Sequence, residues 1–215
     1  MSETRTRILE RLRANRPTAA APPPEYSKAL GWDHARRIAA FTECMQAVRG
    51  EVHQIERDGW MDWLRRELPA RGLRRVLVGR GAVGDALASA SWAELDVRRY
   101  EHAIEDWKPA LFNEIDVAVT GTRAGLAESG SLVLWPDADE PRLMSLVPPV
   151  HIALLEADKL HETFAQMIEA ENWAAGMPTN ALLISGPSKT ADIEMTLAFG
   201  VHGPKELVVI LINDP

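Results

Sequence analysis

A chain of 215 residues, 46% of them hydrophobic, is long enough to fold as one large domain with a buried core. Its 24 basic and 31 acidic residues give a formal charge of −7, which argues against a protein that wraps nucleic acid or binds an anionic membrane surface. The single cysteine, Cys44, excludes an internal disulfide framework and any all-cysteine zinc or iron–sulfur site built from this chain alone.

The N-terminal region divides into a charged helix and a proline-rich strap. Residues 4–14 carry apolar side chains at helical spacing, and three consecutive prolines then impose an extended backbone at the end of 18–24. We expect residues 1–24 to form an extension that docks on a neighbouring subunit or is poorly ordered. The region lacks the apolar segment of a secretory signal, and the chain has no apolar run long enough for a membrane span, so we expect a cytoplasmic protein.

Two more helices lead into alternating strands and helices. Apolar residues at three- and four-residue steps predict helices over 31–51 and 59–68, a helical lead-in within residues 25–72. From residue 75 onwards, strands alternate with helical segments, a pattern that implies a mostly parallel sheet covered on both faces. The sequence therefore predicts a three-layer α/β fold with a sheet of about seven strands, as a single domain over residues 25–215. The predicted strands are 76–78, 95–97, 115–119, 132–135, 150–155, 181–184 and 206–212, and the predicted helices are 82–90, 100–111, 159–173 and 192–199.

One glycine-rich motif follows the first of these strands. The run Gly79-Arg80-Gly81-Ala82-Val83-Gly84 matches GxGxxG, and Asp96 stands about where a dinucleotide-binding unit places its ribose-binding acid. Against this interpretation, Arg80 would sit inside a tight phosphate turn, and glycines occur at strand-to-helix junctions for backbone reasons alone. A nucleotide-binding enzyme is therefore one alternative, and packing glycines are the other.

The stretch 116–149 contains an isolated carboxylate. Glu128 stands between small residues, after a predicted strand that ends at Thr120-Gly121. A glutamate at a strand end against a floor of low polarity would suit a nucleophile or a general acid/base with a raised pKa. The alternative is a turn residue that hydrogen-bonds the backbone. The following loop, 136–149, has the length of a lid or a binding loop.

The stretch 180–205 concentrates glycine, proline, hydroxyl groups and charge. Its strand stops at Gly186-Pro187, and a helix is predicted to begin near Asp192 and to end at Gly200. Hydroxyl groups, an ammonium group and free helix N–H groups would then share one turn, which suits a carboxylate or a phosphate.

A structural interpretation of the same turn stays open. Ser188 or Thr190 could simply cap the helix, and Asp192 and Glu194 could stand in its first turn because negative charge is favourable there.

Three sequence blocks in this order resemble the LUD-domain family, and most closely its lactate-utilisation protein C (YkgG-type) members. The blocks are AGLAESGSLVL, RLMSLVPPVHIALL and ISGPSKTADIEMTLAFGVHGPKELVVILI, and the resemblance covers roughly residues 82–212. It implies a fold of the ribose-phosphate isomerase, CoA-transferase and formyltetrahydrofolate cyclo-ligase type, with ligands held at strand ends. It also implies a part in the oxidation of L-lactate to pyruvate beside two partner proteins, one or both carrying iron–sulfur clusters. Where the family commonly has Glu-Thr-Gly-Thr, this chain has Glu128-Ser129-Gly130-Ser131, which keeps the hydroxyl groups.

The resemblance joins the two stretches into one candidate site. Glu128 and His202 are the candidate catalytic residues, since the glycines around His202 would hold an imidazole with a near-neutral pKa in a rigid turn. We expect the turn of Glu128 and the turn of Ser188 to open onto one hollow at the same rim of the sheet. The candidate ligand-binding residues are Thr120, Gly121, Ser129, Gly130, Ser185, Gly186, Pro187, Ser188, Lys189, Thr190, Asp192, Glu194 and Gly203.

The histidine spacing does not predict a metal site, and His151 is expected to be a hydrogen-bonded structural histidine. We expect no cofactor within this chain, a small anionic ligand, and iron–sulfur clusters in partner proteins. A homo-oligomer stays open. Two functions also stay open: a subunit of a lactate-oxidising system, and a ligand-binding or assembly module without chemistry of its own.

Overall fold

The computed structural model describes residues 3–15, 29–191 and 197–213. Within these ranges the helices are α1 (Glu3–Ala14), α2 (His34–Ala47), α3 (Trp60–Ala70), α4 (Ala82–Ser89), α5 (Ile104–Asn113), α6 (Leu143–Leu146) and α7 (Phe164–Ala170), with 3-10 turns at Ala157–Lys159 and Trp173–Ala175. The strands are β1 (Glu51–Glu56), β2 (Arg75–Val78), β3 (Asp96–Arg99), β4 (Val117–Gly121), β5 (Ala124–Leu126), β6 (Ser131–Leu134), β7 (Val150–Glu156), β8 (Leu160–His161), β9 (Leu182–Ile184), β10 (Lys189–Ala191), β11 (Leu197–Phe199) and β12 (Glu206–Asn213).

A six-stranded parallel sheet forms the centre of the fold, with the strand order β1-β12-β7-β4-β2-β3. Its inner strands β7 and β12 are buried along almost their whole length. The sequences of these two strands are nearly continuous apolar runs because both faces of the sheet are covered. The predicted α/β fold with a mostly parallel sheet is therefore confirmed, with six strands in the central sheet.

The two faces of the sheet are covered by different layers. Helices α3 and α4 pack on one face, where Leu64 and Leu87 contact the valines and isoleucines of the central strands. The other face packs against α2, α5, α6 and a second sheet of four strands, ordered β8-β5-β6-β9. Phe41 and Met45 of α2 fill the space between the two sheets.

Several elements predicted from the sequence patterns are wrong. Helix α2 ends at Ala47, and the residues after it form strand β1, which the predicted helix over 31–51 had partly absorbed. The predicted strands 132–135 and 181–184 are confirmed as strands, but they belong to the second sheet and not to the central one, a distinction that hydrophobic periodicity does not show. The predicted helix over 159–173 is a 3-10 turn, a short strand and then α7. Helix α7 begins where the hydroxyl of Thr163 accepts a hydrogen bond from Gln166 N.

The predicted helix over 192–199 is wrong for residues 197–199, the part of it that the structure describes. Leu197–Phe199 is strand β11, which pairs antiparallel with Lys189–Ala191. Lys189 and Thr190 are therefore strand residues, whereas we had expected them to lie in a turn before the helix. Residues 192–196, with Asp192 and Glu194, lie outside the described residues.

Helix α1 forms as predicted, with no buried residue, and the strap at 18–24 lies outside the described residues. Within the ranges that the structure describes, no helix has the length and apolar character that crossing a bilayer requires.

Candidate functional site

A cleft opens at the carboxyl ends of the parallel strands, and we call it the strand-end cleft. It comprises two adjoining cavities of about 260 Å³ and about 480 Å³. Both are lined by Gly121, Thr122, Trp135, Asp137 and Glu140. The predicted ligand-binding residues Thr120 and Gly121 lie here, at the end of β4.

The strand-end cleft is acidic, with four carboxylates and three cationic side chains among its described lining. Arg57 forms an ion pair with Glu156 at 2.5 Å, and Arg123 forms one with Glu171. Two of the cations are thus already engaged by carboxylates, which makes the cleft a poor place for a further anion. The charged residues of the lining are Arg57, Arg123, Lys159, Asp137, Asp139, Glu140 and Glu156.

Glu140 lines both cavities of this cleft, and no sequence pattern predicted it as a site residue. Both of its carboxylate oxygens lie 3.1 Å from Gly121 N, which donates to them. Burial raises the pKa of the Glu140 carboxyl, the N–H of Gly121 lowers it, and the charges of Asp137 and Asp139 raise it further. Glu140 belongs to the loop 136–149, and the acidic residues of that loop were the sequence feature from which it could have been predicted as a site residue.

Chain packing accounts for the GxGxxG motif. A Cβ atom on Gly79 would lie 2.4 Å from the carbonyl oxygen of Asp139, and one on Gly84 would lie 2.0 Å from the carbonyl oxygen of Gly79. Arg80 N donates to that same Asp139 carbonyl at 2.9 Å. The acidic loop therefore covers the turn where a phosphate would approach, while Asp96 forms an ion pair with Arg98 on the edge strand β3.

A second cavity, of about 190 Å³, lies near the amino ends of β7 and β12, and we call it the histidine cavity. The structure brings together four predicted site residues around it, namely Gly186, Ser188, His202 and Gly203. Backbone hydrogen bonds hold the two turns together: Ser188 N donates to Pro204 O at 2.8 Å, and Gly200 N donates to Ser188 O at 2.9 Å. The rest of the lining is Ser145, Leu146, His151, Ile184, Pro204 and Leu207.

His151 forms a fully buried part of this lining. Its Nε2 lies 2.9 Å from Thr120 Oγ1, while its Nδ1 has no hydrogen-bond partner among the described residues. Burial lowers the pKa of the ring to about 4, so the imidazole is neutral at pH 7. The buried ring, bonded to Thr120 through Nε2, fits the expectation of a hydrogen-bonded structural histidine.

Glu128 is not among the described residues that line the histidine cavity. It is exposed, and its Oε1 accepts a hydrogen bond from Phe164 N at 3.3 Å, beside the start of α7. Its own N–H donates to Glu162 O at 3.0 Å. This geometry fits the backbone-bonding turn residue that was the alternative interpretation of Glu128.

A chain of three hydroxyl groups connects the turn of Glu128 with the turn at Gly186. Ser131 Oγ lies 2.8 Å from Ser129 Oγ and 2.6 Å from Ser185 Oγ. Ser131 is buried, whereas the other two serines are exposed. The two predicted stretches therefore meet through these serines.

The remaining candidates occupy the surroundings of these features. Gly130 has a φ of +60°, and a Cβ atom there would lie 2.5 Å from Cys44 Cβ, so a glycine is required. Pro187 and Thr190 are half-buried, and Lys189 is exposed. Among the residues that the structure describes, no group of three or more His, Cys, Asp or Glu side chains is arranged to hold a metal ion.

Comparisons with known proteins agree on one family. The LUD domain family model matches residues 38–212. An uncharacterised protein of Neisseria meningitidis is 37% identical over 194 residues, which cover 87% of this chain and 83% of that protein. A lactate utilization protein C of Bacillus licheniformis is 27% identical over an alignment of 227 positions, with 97% of this chain and 94% of that protein covered. The crystal structure of a DUF162 family protein from Deinococcus radiodurans has a TM-score of 0.61 at 24% identity, covering 84% of this chain and 99% of that one, a likeness that shows the fold.

Proposed function

The chain belongs to the LUD-domain family, and on that premise we propose that it takes part in lactate utilisation, as a component of a system that oxidises L-lactate to pyruvate. Support comes from the lactate utilization protein C of Bacillus licheniformis, which aligns with 97% of this chain. The finer steps of the proposal rest on the geometry of the two cavities.

We place a small carboxylate ligand in the histidine cavity. The observation that carries this assignment is the convergence of Gly186, Ser188, His202 and Gly203 on one cavity of about 190 Å³. This volume lies below the range of about 300–1,000 Å³ that is typical of pockets for drug-sized ligands. That size suits a three-carbon acid and is far below what a nucleotide or coenzyme A needs.

Electrostatics favour the histidine cavity over the strand-end cleft for an anion. No Asp or Glu side chain is among the described residues that line the histidine cavity. The hydroxyl of Ser188 and the ring N–H of His202 offer donors to a carboxylate. In the strand-end cleft a ligand anion would lie beside Asp137, Asp139 and Glu140, while two of the three cationic side chains there are already paired with carboxylates.

The electrons released by lactate oxidation require an acceptor outside this chain. An iron–sulfur cluster held by four thiolates needs more cysteines than the single Cys44 can provide. We therefore assign the iron–sulfur clusters to partner proteins, and to this chain the binding of the small acid.

Calorimetry on the purified full-length chain tests the ligand assignment. L-lactate and pyruvate are expected to bind, and Ser188→Ala and His202→Gln are expected to weaken that binding. Ser89→Ala and His34→Gln are matched controls, since both side chains are exposed on helices and neither lines the cavity. Equal binding by all four variants would remove the histidine cavity from the proposal.

A non-catalytic binding or assembly module is the second candidate function. One observation favours it: the Glu128 carboxylate accepts a backbone N–H and is exposed, a poor environment for a general acid/base. Turnover of L-lactate with an artificial electron acceptor separates the two functions when the partners are assayed with and without this chain. Partners that reach the full rate alone, together with an unchanged rate for Glu128→Gln, would support the module.

A further inference from the structure

We propose that helix α1 of one chain docks in the strand-end cleft of a second copy, so that the chain forms a dimer with two such contacts. Within the described residues, α1 buries none of its 12 residues. Its large apolar side chains are Ile8, Leu9 and Leu12, which we name the apolar stripe, and they are 55%, 37% and 63% exposed. A helix of this length is marginally stable in water unless its apolar face packs against another surface. The apolar stripe therefore requires a partner surface.

The charged residues of α1 are arranged around the apolar stripe. At about 100° per residue, Arg11 and Arg13 flank the stripe on its two sides. Glu3 and Glu10 lie on the opposite side of the helix. The face of α1 that a partner would cover is thus apolar with a basic border, and it favours a surface that combines apolar side chains with carboxylates.

The strand-end cleft has this combination. Its described lining includes the apolar side chains of Trp60, Val83, Trp135, Leu154 and Ile212. Asp137 and Asp139 border these side chains and are exposed, and the contact of Asp139 with Arg80 at 3.4 Å is an exposed pair that solvent screens. The net charges also agree, since α1 has four arginines and two glutamates while the whole chain has a formal charge of −7. An acidic cleft that suits an anion poorly is therefore well suited to a basic helix.

A second copy is the occupant that the chain itself supplies. The thirteen residues 16–28 join α1 to the rest of the chain, and this length spans at most about 45 Å. The far end of this connection lies near the cleft, because Leu30 N donates to Glu162 Oε2 at 2.6 Å and Lys159 of the cleft lining stands three residues before Glu162. Each copy has one helix and one cleft, so two identical contacts about a two-fold axis close the assembly as a dimer. The contact uses the strand-end cleft and not the histidine cavity, so it goes beyond the proposed function.

Sedimentation equilibrium of the full-length chain tests the dimer. The wild type is expected to show a monomer–dimer equilibrium that weakens as salt is added, because salt screens the exposed charges. Arg11→Glu with Arg13→Glu is expected to raise the dissociation constant of the dimer at least about tenfold. Because α1 buries no side chain, this helix variant leaves the rest of the fold intact. Arg36→Glu with Arg66→Glu is the matched control, since it changes the net charge equally at exposed positions outside α1 and the described lining of the cleft.

Mixing two variants tests whether the cleft receives the helix of another copy. The cleft variant, Asp137→Lys with Asp139→Lys, is expected to dimerise as poorly as the helix variant. An equimolar mixture of the two is expected to restore the dimer, because each acidic helix then meets a basic cleft and each basic helix meets an acidic one. Hydrogen exchange serves should the cleft variant not fold: residues 136–141 are expected to exchange more slowly in the wild-type dimer than in the helix variant.

Four results would overturn the inference. A wild type that stays monomeric up to about 0.5 mM would leave α1 for a partner of another kind. A dimer that the helix variant does not weaken would exclude α1 from the interface. A mixture of folded variants that stays monomeric would indicate docking of α1 on its own chain. Equal hydrogen exchange of residues 136–141 in the wild-type dimer and the helix variant would place the contact away from the cleft.

Discussion

Acidification is expected to destabilise the protein through His151. The folded protein keeps the ring neutral, with a pKa of about 4 instead of 6.5, because the side chain is fully buried. Between these two values the unfolded chain binds a proton that the folded chain does not bind, so the free energy of unfolding falls as the pH falls from 6.5 towards 4. Above pH 6.5 both states are neutral at this ring, and its contribution is constant.

The size of the effect follows from the pKa difference. Each unit of difference corresponds to about 1.4 kcal/mol, so the full interval corresponds to about 3.5 kcal/mol of lost stability from this ring alone. Such a loss is a large fraction of the roughly 5–15 kcal/mol that stabilise an ordinary domain.

Other groups titrate in the same direction and must be separated from His151. The pKa of the Asp116 carboxyl is lowered because hydrogen bonds from Arg75 and the backbone outweigh burial, and the backbone N–H groups of residues 30–32 act likewise on Glu162. Their stabilisation is also lost as the pH falls through the folded pKa. Urea unfolding of the wild type and of His151→Gln at steps from pH 7 to pH 4.5 isolates the ring, because the variant retains all other groups.

The two stability curves are expected to converge as the pH falls, since only the wild type has a ring at position 151 that folding must keep neutral. Parallel curves would refute the reasoning. So would an NMR titration of the His151 ring in the folded protein with a midpoint near 6.5, which would show that burial does not keep the ring neutral.

Three further substitutions test the roles assigned to the rest of the site. Glu140→Ala is expected to cost about 1–3 kcal/mol in urea unfolding because it removes the acceptor of the half-buried N–H of Gly121. Glu140→Gln keeps an acceptor and, since burial disfavours the charged form, is expected to be neutral or stabilising at pH 7. A larger loss of stability for Glu140→Gln than for Glu140→Ala would contradict this account. Gly84→Ala is expected to lower stability by about 2–4 kcal/mol because its Cβ would lie 2.0 Å from a carbonyl oxygen. Gly176→Ala, with open space around it, serves as the matched control in thermal unfolding. Similar effects of the two substitutions would show that the close approach at Gly84 is absent. Ser131→Ala is expected to lower the free energy of unfolding by about 1 kcal/mol and to speed hydrogen exchange in the turn at residues 185–188. The exposed Ser89→Ala is the control for both measurements. Unchanged exchange in Ser131→Ala would mean that the hydroxyl chain does not join the turns.

The parallel sheet could be predicted from the sequence because its inner strands are buried on both faces. The runs at 150–155 and 206–212 are apolar at nearly every position, which is typical of strands covered on two sides. Strand β1 was missed because the sequence EVHQIE has only two apolar residues and follows a helix directly. Gly50 was the sequence signal for the boundary, since a Cβ atom there would lie 2.5 Å from the sulfur of Met45, and the chain leaves the helix through Arg49, which has a φ of +70°.

The candidate site could be predicted only where the residues themselves form turns. Glycine, proline and hydroxyl residues at 186–188 and 202–204 mark turns, and the two turns meet at the histidine cavity. His151 stands within an apolar strand, and no local pattern tells which of its nitrogens finds a partner. That depends on Thr120, which is distant in sequence and adjacent only in the folded sheet. Whether Glu128 faces a cavity or solvent likewise depends on α7, whose start at Phe164 lies inside the longer helix predicted over 159–173.

The usual place for a ligand in an open α/β sheet is the crevice outside the carboxyl ends of the strands. In this chain that crevice already contains an internal carboxylate, since Glu140 accepts the N–H of Gly121, and the carbonyl of Asp139 covers Gly79. An incoming anion would have to displace a side chain that is bonded to the backbone and accompanied by like charges. The histidine cavity, near the opposite ends of β7 and β12, instead has an unsatisfied nitrogen and no carboxylate in its described lining. Both features therefore favour the histidine cavity for the proposed ligand. The acidic loop would repel an anion from the carboxyl ends of the strands, and the buried histidine near the amino ends has a nitrogen without a partner among the described residues.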